Sequence, residues 1–199
     1  IDTINSLSNV QKPKVLDYGC GDMSLVKYLS SRNFDINGFE VNQSIKSIKD
    51  YAIYENQIFF SIDKIIKSKK KFDFVVLNHV FEHLEDPPKF INDIKKILNA
   101  NAFIIIEVPN SDCLQIKLFK EYAIHLDQPR HRYIYNKKNL SKLFKINGFS
   151  KVLDNDGYNK YLDYPLSFFR SFFRFIKNYN KNIFYKVFIT MFLPFLFIF

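Results

Sequence analysis

Val15-Leu16-Asp17-Tyr18-Gly19-Cys20-Gly21 is the stretch that decides the fold. A short apolar run gives way to a two-glycine turn, and Ser24 to Leu29 beyond it reads as a helix. Gly19 and Gly21 let the backbone turn tightly and approach a ligand with no Cβ in the way. A helix that follows presents backbone N–H groups in its first turn. Asp17, at the strand end, can accept hydrogen bonds from a bound amine or from the loop itself. Nineteen residues after Gly21, Glu40 closes a second apolar run, Ile36 to Glu40. A carboxylate there can take both hydroxyls of a ribose.

The same alternation continues outward. A helix is expected over Gln43 to Tyr54, a short strand over Ile58 to Phe60, and a strand apolar on both faces over Phe72 to Leu77. Pro87-Pro88 starts a helix carrying Phe90, Ile91, Ile94, Ile97 and Leu98, and Phe103 to Val108 is a further strand, stopped by Pro109. Strands alternating with helices predict an α/β fold: a doubly wound, mostly parallel, Rossmann-like sheet with helices on both faces. Its ligand edge is the one after the strands. Beyond Pro109 the rhythm breaks. Ser111 to Tyr122 reads as helical and His125 to Tyr135 as irregular. Asn136 caps a helix through Ile146 that Gly148 ends, and Phe149 to Leu153 is a sixth strand.

Composition narrows the class. The chain has 199 residues, 47% of them hydrophobic, which suits a folded domain with a real core. It opens on Ile1 rather than Met, so residues upstream are expected, and its polar start has no secretory pattern. Cys20 and Cys113 stand far apart, which points to a reducing, cytoplasmic compartment. The net charge of +9 raises nucleic acid as a partner. Most lysines, however, sit in helical stretches such as Lys67 to Lys71 and read as solvated faces, so no nucleic-acid partner is expected.

A dinucleotide site competes for the glycine turn. That fingerprint needs a third Gly or Ala three residues after Gly21, where this chain has Ser24. Asp17 beside the loop also disfavours a pyrophosphate. An adenosyl sulfonium carries positive charge and no phosphate, and suits the loop better. Here the sequence resembles a known family. Val15 to Gly21 is similar to the first motif of class I S-adenosylmethionine-dependent methyltransferases. Phe72-Asp73-Phe74-Val75-Val76-Leu77-Asn78-His79-Val80-Phe81-Glu82-His83-Leu84 resembles the fourth-strand motif of their small-molecule branch, which includes ubiquinone-biosynthesis O-methyltransferases. The likeness runs from about Lys14 to Leu153.

The resemblance implies a methyltransferase acting on a small-molecule or lipid-linked acceptor, with S-adenosylmethionine as cofactor. Asp17, Tyr18, Gly19, Cys20 and Gly21 would lie against the methionine part. Glu40 would hold the ribose, Val41 would lie beside the adenine, Ile62 and Asp63 would meet the adenine edge, and Asn78 would line the methyl-donor end. Met23 stands where many relatives carry a third glycine. The alternatives are a noncatalytic cofactor- or partner-binding protein of the same fold and, more remotely, a nicotinamide-dependent oxidoreductase.

An oxygen acceptor must lose a proton, and histidine suits that task near neutral pH. Of the four histidines, His79 and His83 follow the fourth strand, while His125 and His131 lie in the irregular stretch. His79, His83 and His131 are the candidate bases. The i, i+3, i+4 spacing of His79, Glu82 and His83 also admits a metal, although no metal site is taken as the expectation. Arg130 and Arg132 could clamp an acidic group of the acceptor. Glu107, near the end of its strand, reads as structural.

Residues 1–155 are expected to form the cofactor-binding domain, including a substrate cover over about 111–135, with an aromatic, basic extension over 156–199. From Tyr164 onward there are five basic residues, no acidic one and eleven of the 23 phenylalanines. Leu166, Phe169, Phe172, Phe173 and Ile176 form an apolar helical stripe opposite Arg170, Arg174 and Lys177. Core or cover packing ranks slightly above contact with a membrane surface, and the thirteen-residue run Val187 to Phe199, interrupted by Pro194, is short for a span.

Overall fold

The apolar runs become the strands of one parallel sheet. The structure is a computed structural model that describes residues 2–8, 10–150 and 170–177. They fall in two compact units, Ile1–Val108 and Pro109–Phe199. In the first unit the order is α1 (Asp2–Leu7), β1 (Lys14–Tyr18), α2 (Ser24–Ser30), β2 (Asp35–Phe39), α3 (Tyr51–Tyr54), β3 (Ile58–Phe59), α4 (Ile62–Lys67), β4 (Phe72–Asn78), α5 (Pro87–Lys95) and β5 (Leu98–Glu107). The strands lie in the order β3-β2-β1-β4-β5, and all four pairings are parallel. The order reverses between β1 and β4, the switch point where such sheets open a crevice for ligands.

Alternation along β1 explains the two layers. Val15 belongs to the core formed with Ile4 of α1 and with Val26 and Leu29 of α2. One residue on, the side chains face the other layer: Tyr18 meets Phe90 of α5 edge to face at 5.0 Å. Helices therefore cover both faces, as the sequence predicts. Each fully buried Val or Leu contributes about 1.5–3 kcal/mol. Asp86 caps α5 by accepting the Lys89 N–H at 2.9 Å, with Pro87 and Pro88 in the first turn.

Two expected elements are corrected. The helix over Gln43 to Tyr54 is broken into a 3-10 turn, Gln43–Ser47, and the single turn α3. Between them Ile48 is extended and Asp50 is left-handed at φ 74°. Ile45, Ile48, Tyr51 and Tyr54 all reach the core by this bend. The α5 helix also ends before Ile97, which lies in a turn with its carbonyl accepting the Phe72 N–H at 2.8 Å, and Leu98 opens β5 instead. From Phe72 to Phe74 on β4, β5 advances from Leu98 to Phe103, with Asn101 left-handed at φ 61° inside the extra loop. Asp73 secures the irregularity. Its carboxylate accepts the Asn99 side-chain amide at 2.6 Å and the Lys14 N–H at 2.8 Å.

The second unit contains α6 (Leu114–Phe119), α7 (Lys137–Ile146) and α8 (170–177). Lys120, with a positive φ of 47°, ends α6 before the expected Tyr122, and a 3-10 turn follows. Asn136 Oδ1 accepts the Asn139 N–H at 2.8 Å and Gly148 terminates α7 with φ 87°, both as predicted. Phe119 of α6 meets Phe172 and Phe175 of α8 at ring distances of 6.4 and 6.1 Å. Ser171 is buried and its hydroxyl accepts the Ile124 N–H at 3.0 Å. Arg170, Arg174 and Lys177 stay exposed. The described part of the tail thus packs within its own unit through its aromatic face. Of the strand expected over Phe149 to Leu153, Phe149 and Ser150 are not in a strand, and residues 151–153, like Leu166, Phe169 and the residues after 177, lie outside the described residues. Among the described residues no helix is long and apolar enough to cross a membrane.

Candidate functional site

The loop after β1 is shaped by backbone geometry before any ligand is considered. Gly19 and Gly21 both have positive φ, 81° and 49°. A Cβ on Gly19 would sit 2.4 Å from Val80 Cγ2, so the loop after β4 presses directly on it. The Gly19 and Cys20 N–H groups both donate to the Phe39 carbonyl, at 2.8 and 3.0 Å. Cys20 turns its thiol toward Gly38 of β2, where a Cβ would lie 2.7 Å from Sγ. Burial, reinforced by Asp17 and Glu40, pushes that thiol up to about 12. It stays protonated and packs as an apolar group.

Glu40 ties the two loops together. Its Oε2 accepts the Gly21 N–H at 3.0 Å, and its Oε1 accepts the Asn42 N–H at 2.9 Å. The carboxylate is thereby fixed at the end of β2 with lone pairs to spare for a ligand.

Met23 takes the left-handed conformation at the N-terminal cap of α2, φ 63°, with its side chain fully buried. A glycine at this position would avoid that backbone strain. Here the apolar side chain compensates by filling the core beneath the loop.

Beside the loop a cleft of about 360 Å³ opens at the β1–β4 switch point. Its walls include Asp17, Gly19, Gly21, Asp22 and Leu25 on one side and Val76, Asn78, Ile105 and Glu107 on the other. The volume falls in the range of small-molecule sites. Burial raises the Asp17 carboxyl to about 7, and the charges of Asp22 and Glu40 add to the effect. Asp22 is held below the usual range because the Ser24 side chain and backbone donate to it, so it is ionised at neutral pH. A chain of net charge +9 thus folds an acidic cleft, which favours a cationic ligand and opposes a pyrophosphate.

The expected site residues separate into groups. Asp17, Gly19, Cys20, Gly21 and Asn78 all border the cleft. Tyr18 does not: its ring stacks on Phe39 at 4.3 Å on the far side of β1, because side chains alternate along a strand. Val41 is 71% exposed after β2, and Ile62 and Asp63 begin α4 after β3. These three share the ligand edge without lining the cleft. Asp22 and Glu107 were not expected there. Glu107, read from sequence as structural, is a wall of the cleft; its place at the end of a parallel strand was the available signal.

Among the histidines, His79 follows β4 directly, left-handed at φ 52°, and its N–H donates to the Glu107 carbonyl at 3.0 Å. Its Nδ1 lies 3.3 Å from Oε1 of Glu82, a carboxylate that is 1% exposed. Burial alone would raise Glu82, yet the hydrogen bond with His79, a backbone N–H and the charges of His79 and His83 hold it below the usual range. His83 is exposed in the 3-10 turn Phe81–His83. Among the described residues His79, Glu82 and His83 do not gather three ligand atoms within 4.8 Å of one another. His131 belongs to the second unit, where its Nδ1 lies 2.8 Å from the His125 carbonyl. In that unit Arg130 is engaged by Asp127, through Nε at 2.8 Å and through Nη2.

Ubiquinone biosynthesis O-methyltransferase of Rickettsia canadensis is 29% identical over 116 residues, 55% of this chain and 49% of that protein. The chain therefore spans about half the length of such curated relatives. A methyltransferase of Archaeoglobus fulgidus, described as S-adenosylmethionine-dependent, shares the fold at TM-score 0.55 and 18% identity, over 82% of this chain and 78% of that one. Magnesium protoporphyrin IX methyltransferase of Synechocystis, solved with bound S-adenosylhomocysteine, does so at TM-score 0.56 and 20% identity, over 77% and 72%. The methyltransferase domain family matches residues 1–153. With its parallel sheet and glycine loop in place, the chain belongs to the methyltransferase domain family.

Proposed function

We propose that this chain transfers a methyl group from S-adenosylmethionine to a small-molecule or lipid-linked acceptor. The observation that carries the reading is the Glu40 carboxylate, bonded to Asn42 and to Gly21, itself a wall of the acidic cleft. Gly19 and Gly21 let the donor's methionine part lie against the backbone. Asp17 and Asp22 supply the negative potential that a sulfonium and an ammonium need. Glu40 takes the ribose hydroxyls, Val41 offers an apolar surface to the adenine, and Asp63, next to Ile62, accepts from its amino group. Asn78 borders the end where the methyl leaves.

Methyl transfer needs an acceptor aligned in line with the carbon–sulfur bond, and the sulfonium already supplies the leaving group. The exposed Arg170, Arg174 and Lys177 suit contact with an anionic membrane surface, which fits a lipid-linked acceptor.

Thermal stabilisation by S-adenosylmethionine and S-adenosylhomocysteine, compared with NAD, tests the donor. Stabilisation by NAD alone would refute it. Donor binding without any transfer to acceptors in a cell extract would instead favour a noncatalytic protein of the same fold.

A further inference from the structure

We propose that Glu107 determines which acceptor enters the cleft, by pairing its carboxylate with a protonated amino group of that molecule. The acceptor class is then a cationic amine rather than an anion. This rests on the methyl-transfer reading above.

The sheet places Glu107 on the acceptor's side. It ends β5 and pairs with Asn78 of β4, and Ile105 pairs in the same way with Val76. Side chains alternate along a strand, so these four share one face, and all of them line the cleft. Glu40 follows β2, and β1 and β4 lie between β2 and β5. With neighbouring strands about 4.8 Å apart, the ends of β2 and β5 are separated by about 14 Å. A donor whose ribose meets Glu40 and whose methionine part lies along Asp17 to Gly21 therefore crosses β1, and its methyl end reaches Asn78. The next strand outward is β5, where the acceptor must approach.

Charge then selects the acceptor. Asp17 and Asp22, on the β1 side, match the donor's own ammonium and sulfonium. Glu107 is a third carboxylate, three strands from the ribose carboxylate, with no donor cation to meet. Among the described residues that line the cleft none is Lys or Arg, although the chain carries a net charge of +9. The Glu107 side chain is 55% exposed, and the group that accepts the His79 N–H is its backbone carbonyl. Among the described residues the nitrogen within ion-pair range of its carboxylate is His79 Nε2, 4.0 Å from Oε1 and beyond hydrogen-bond length. The carboxylate is therefore open to a ligand. Val76 and Ile105 beneath it give the cleft apolar walls, which concentrate its field. An ammonium placed there gains a charge-assisted hydrogen bond, whereas a carboxylate or phosphate meets like charge. Arg130, expected to clamp an acidic acceptor, is bonded to Asp127 instead.

The test uses the whole chain saturated with S-adenosylhomocysteine, titrated with three probes of one shape and read by NMR of the probe. Benzylammonium should bind about tenfold more tightly than benzyl alcohol, with benzoate weakest. Glu107→Gln should remove that advantage and Glu107→Lys should reverse the order, both with S-adenosylhomocysteine affinity retained. Equal affinities, no binding by any probe, or a preference for benzoate would overturn the proposal. So would a loss of S-adenosylhomocysteine affinity in Glu107→Gln as large as its loss for benzylammonium, which would put Glu107 on the donor. Transfer is read separately, with methyl-labelled donor and the small-molecule fraction of a cell extract, used whole or first stripped of cations on an exchange resin. Transfer lost on stripping supports the proposal, and transfer that survives stripping overturns it. Donor binding with no transfer from the whole fraction would instead count against the methyl-transfer reading, and the order of the probes would still decide the role of Glu107.

Discussion

The Gly21 N–H donates to Glu40 Oε2 at 3.0 Å, bridging the turn after β1 to the end of β2. Two sequence features nineteen residues apart are thereby joined at one edge of the sheet. Because the carboxylate is already oriented, a ribose that meets it spends little free energy on ordering the side chain.

Replacing Glu40 should therefore cost affinity more than stability. Hydrogen bonds to charged groups are worth about 1.5–3 kcal/mol, so Glu40→Ala is expected to weaken S-adenosylhomocysteine binding roughly 10–100-fold by titration calorimetry. Unchanged affinity would remove Glu40 from the site.

Gly19 is constrained twice, by φ of 81° and by Val80 Cγ2 at 2.4 Å from any added Cβ. Gly19→Ala should abolish thermal stabilisation by the donor and lower folding stability by about 1–3 kcal/mol in urea titration. Adding Val80→Ala should restore part of the stability, because it relieves the clash and leaves the backbone strain.

The raised Asp17 carboxyl gives a pH dependence whose sign can be worked out. Between its ordinary 3.8 and the folded value of about 7, the folded chain holds a proton that the unfolded chain has lost. Stability from this group is therefore present at low pH and declines as pH rises through about 7. Asp17→Asn should stabilise the ligand-free chain at pH 8, by on the order of 2 kcal/mol.

Binding runs the other way. A cationic donor favours ionised Asp17, so S-adenosylmethionine affinity should rise with pH, by up to about tenfold per unit, and level off above about 7. S-adenosylhomocysteine lacks the sulfonium charge and should show a shallower dependence. Equal slopes for the two ligands would place Asp17 away from the sulfur.

Met23 sets a left-handed backbone against a fully buried side chain. Losing a buried Met costs about 2–5 kcal/mol, and relieving the conformation returns about 1–2. Met23→Gly should therefore destabilise by about 1–3 kcal/mol in chemical denaturation. A stabilised variant would show that the side chain packs loosely.

The local pattern of residues was enough for the doubly wound architecture, the loop at Asp17 to Gly21, the carboxylate Glu40 and the capped helix after Asn136. Each is a short-range signal: apolar period, glycine at a turn, a capping side chain. What the tertiary structure alone decided is longer in range. The helix expected over Gln43 to Tyr54 breaks because Ile45, Ile48, Tyr51 and Tyr54 must all reach one core surface, which a straight helix cannot deliver. Ile97 and Leu98 leave their helical periodicity because pairing with Phe72 satisfies backbone groups that the helix end would leave open. Tyr18 turns from the cleft because β1 alternates its side chains between two packed layers. Glu107 joins Asn78 in the wall of the cleft because parallel pairing of β4 and β5 makes neighbours of two strand ends. That pairing adds a carboxylate to the cleft, and a linear sequence does not reveal it.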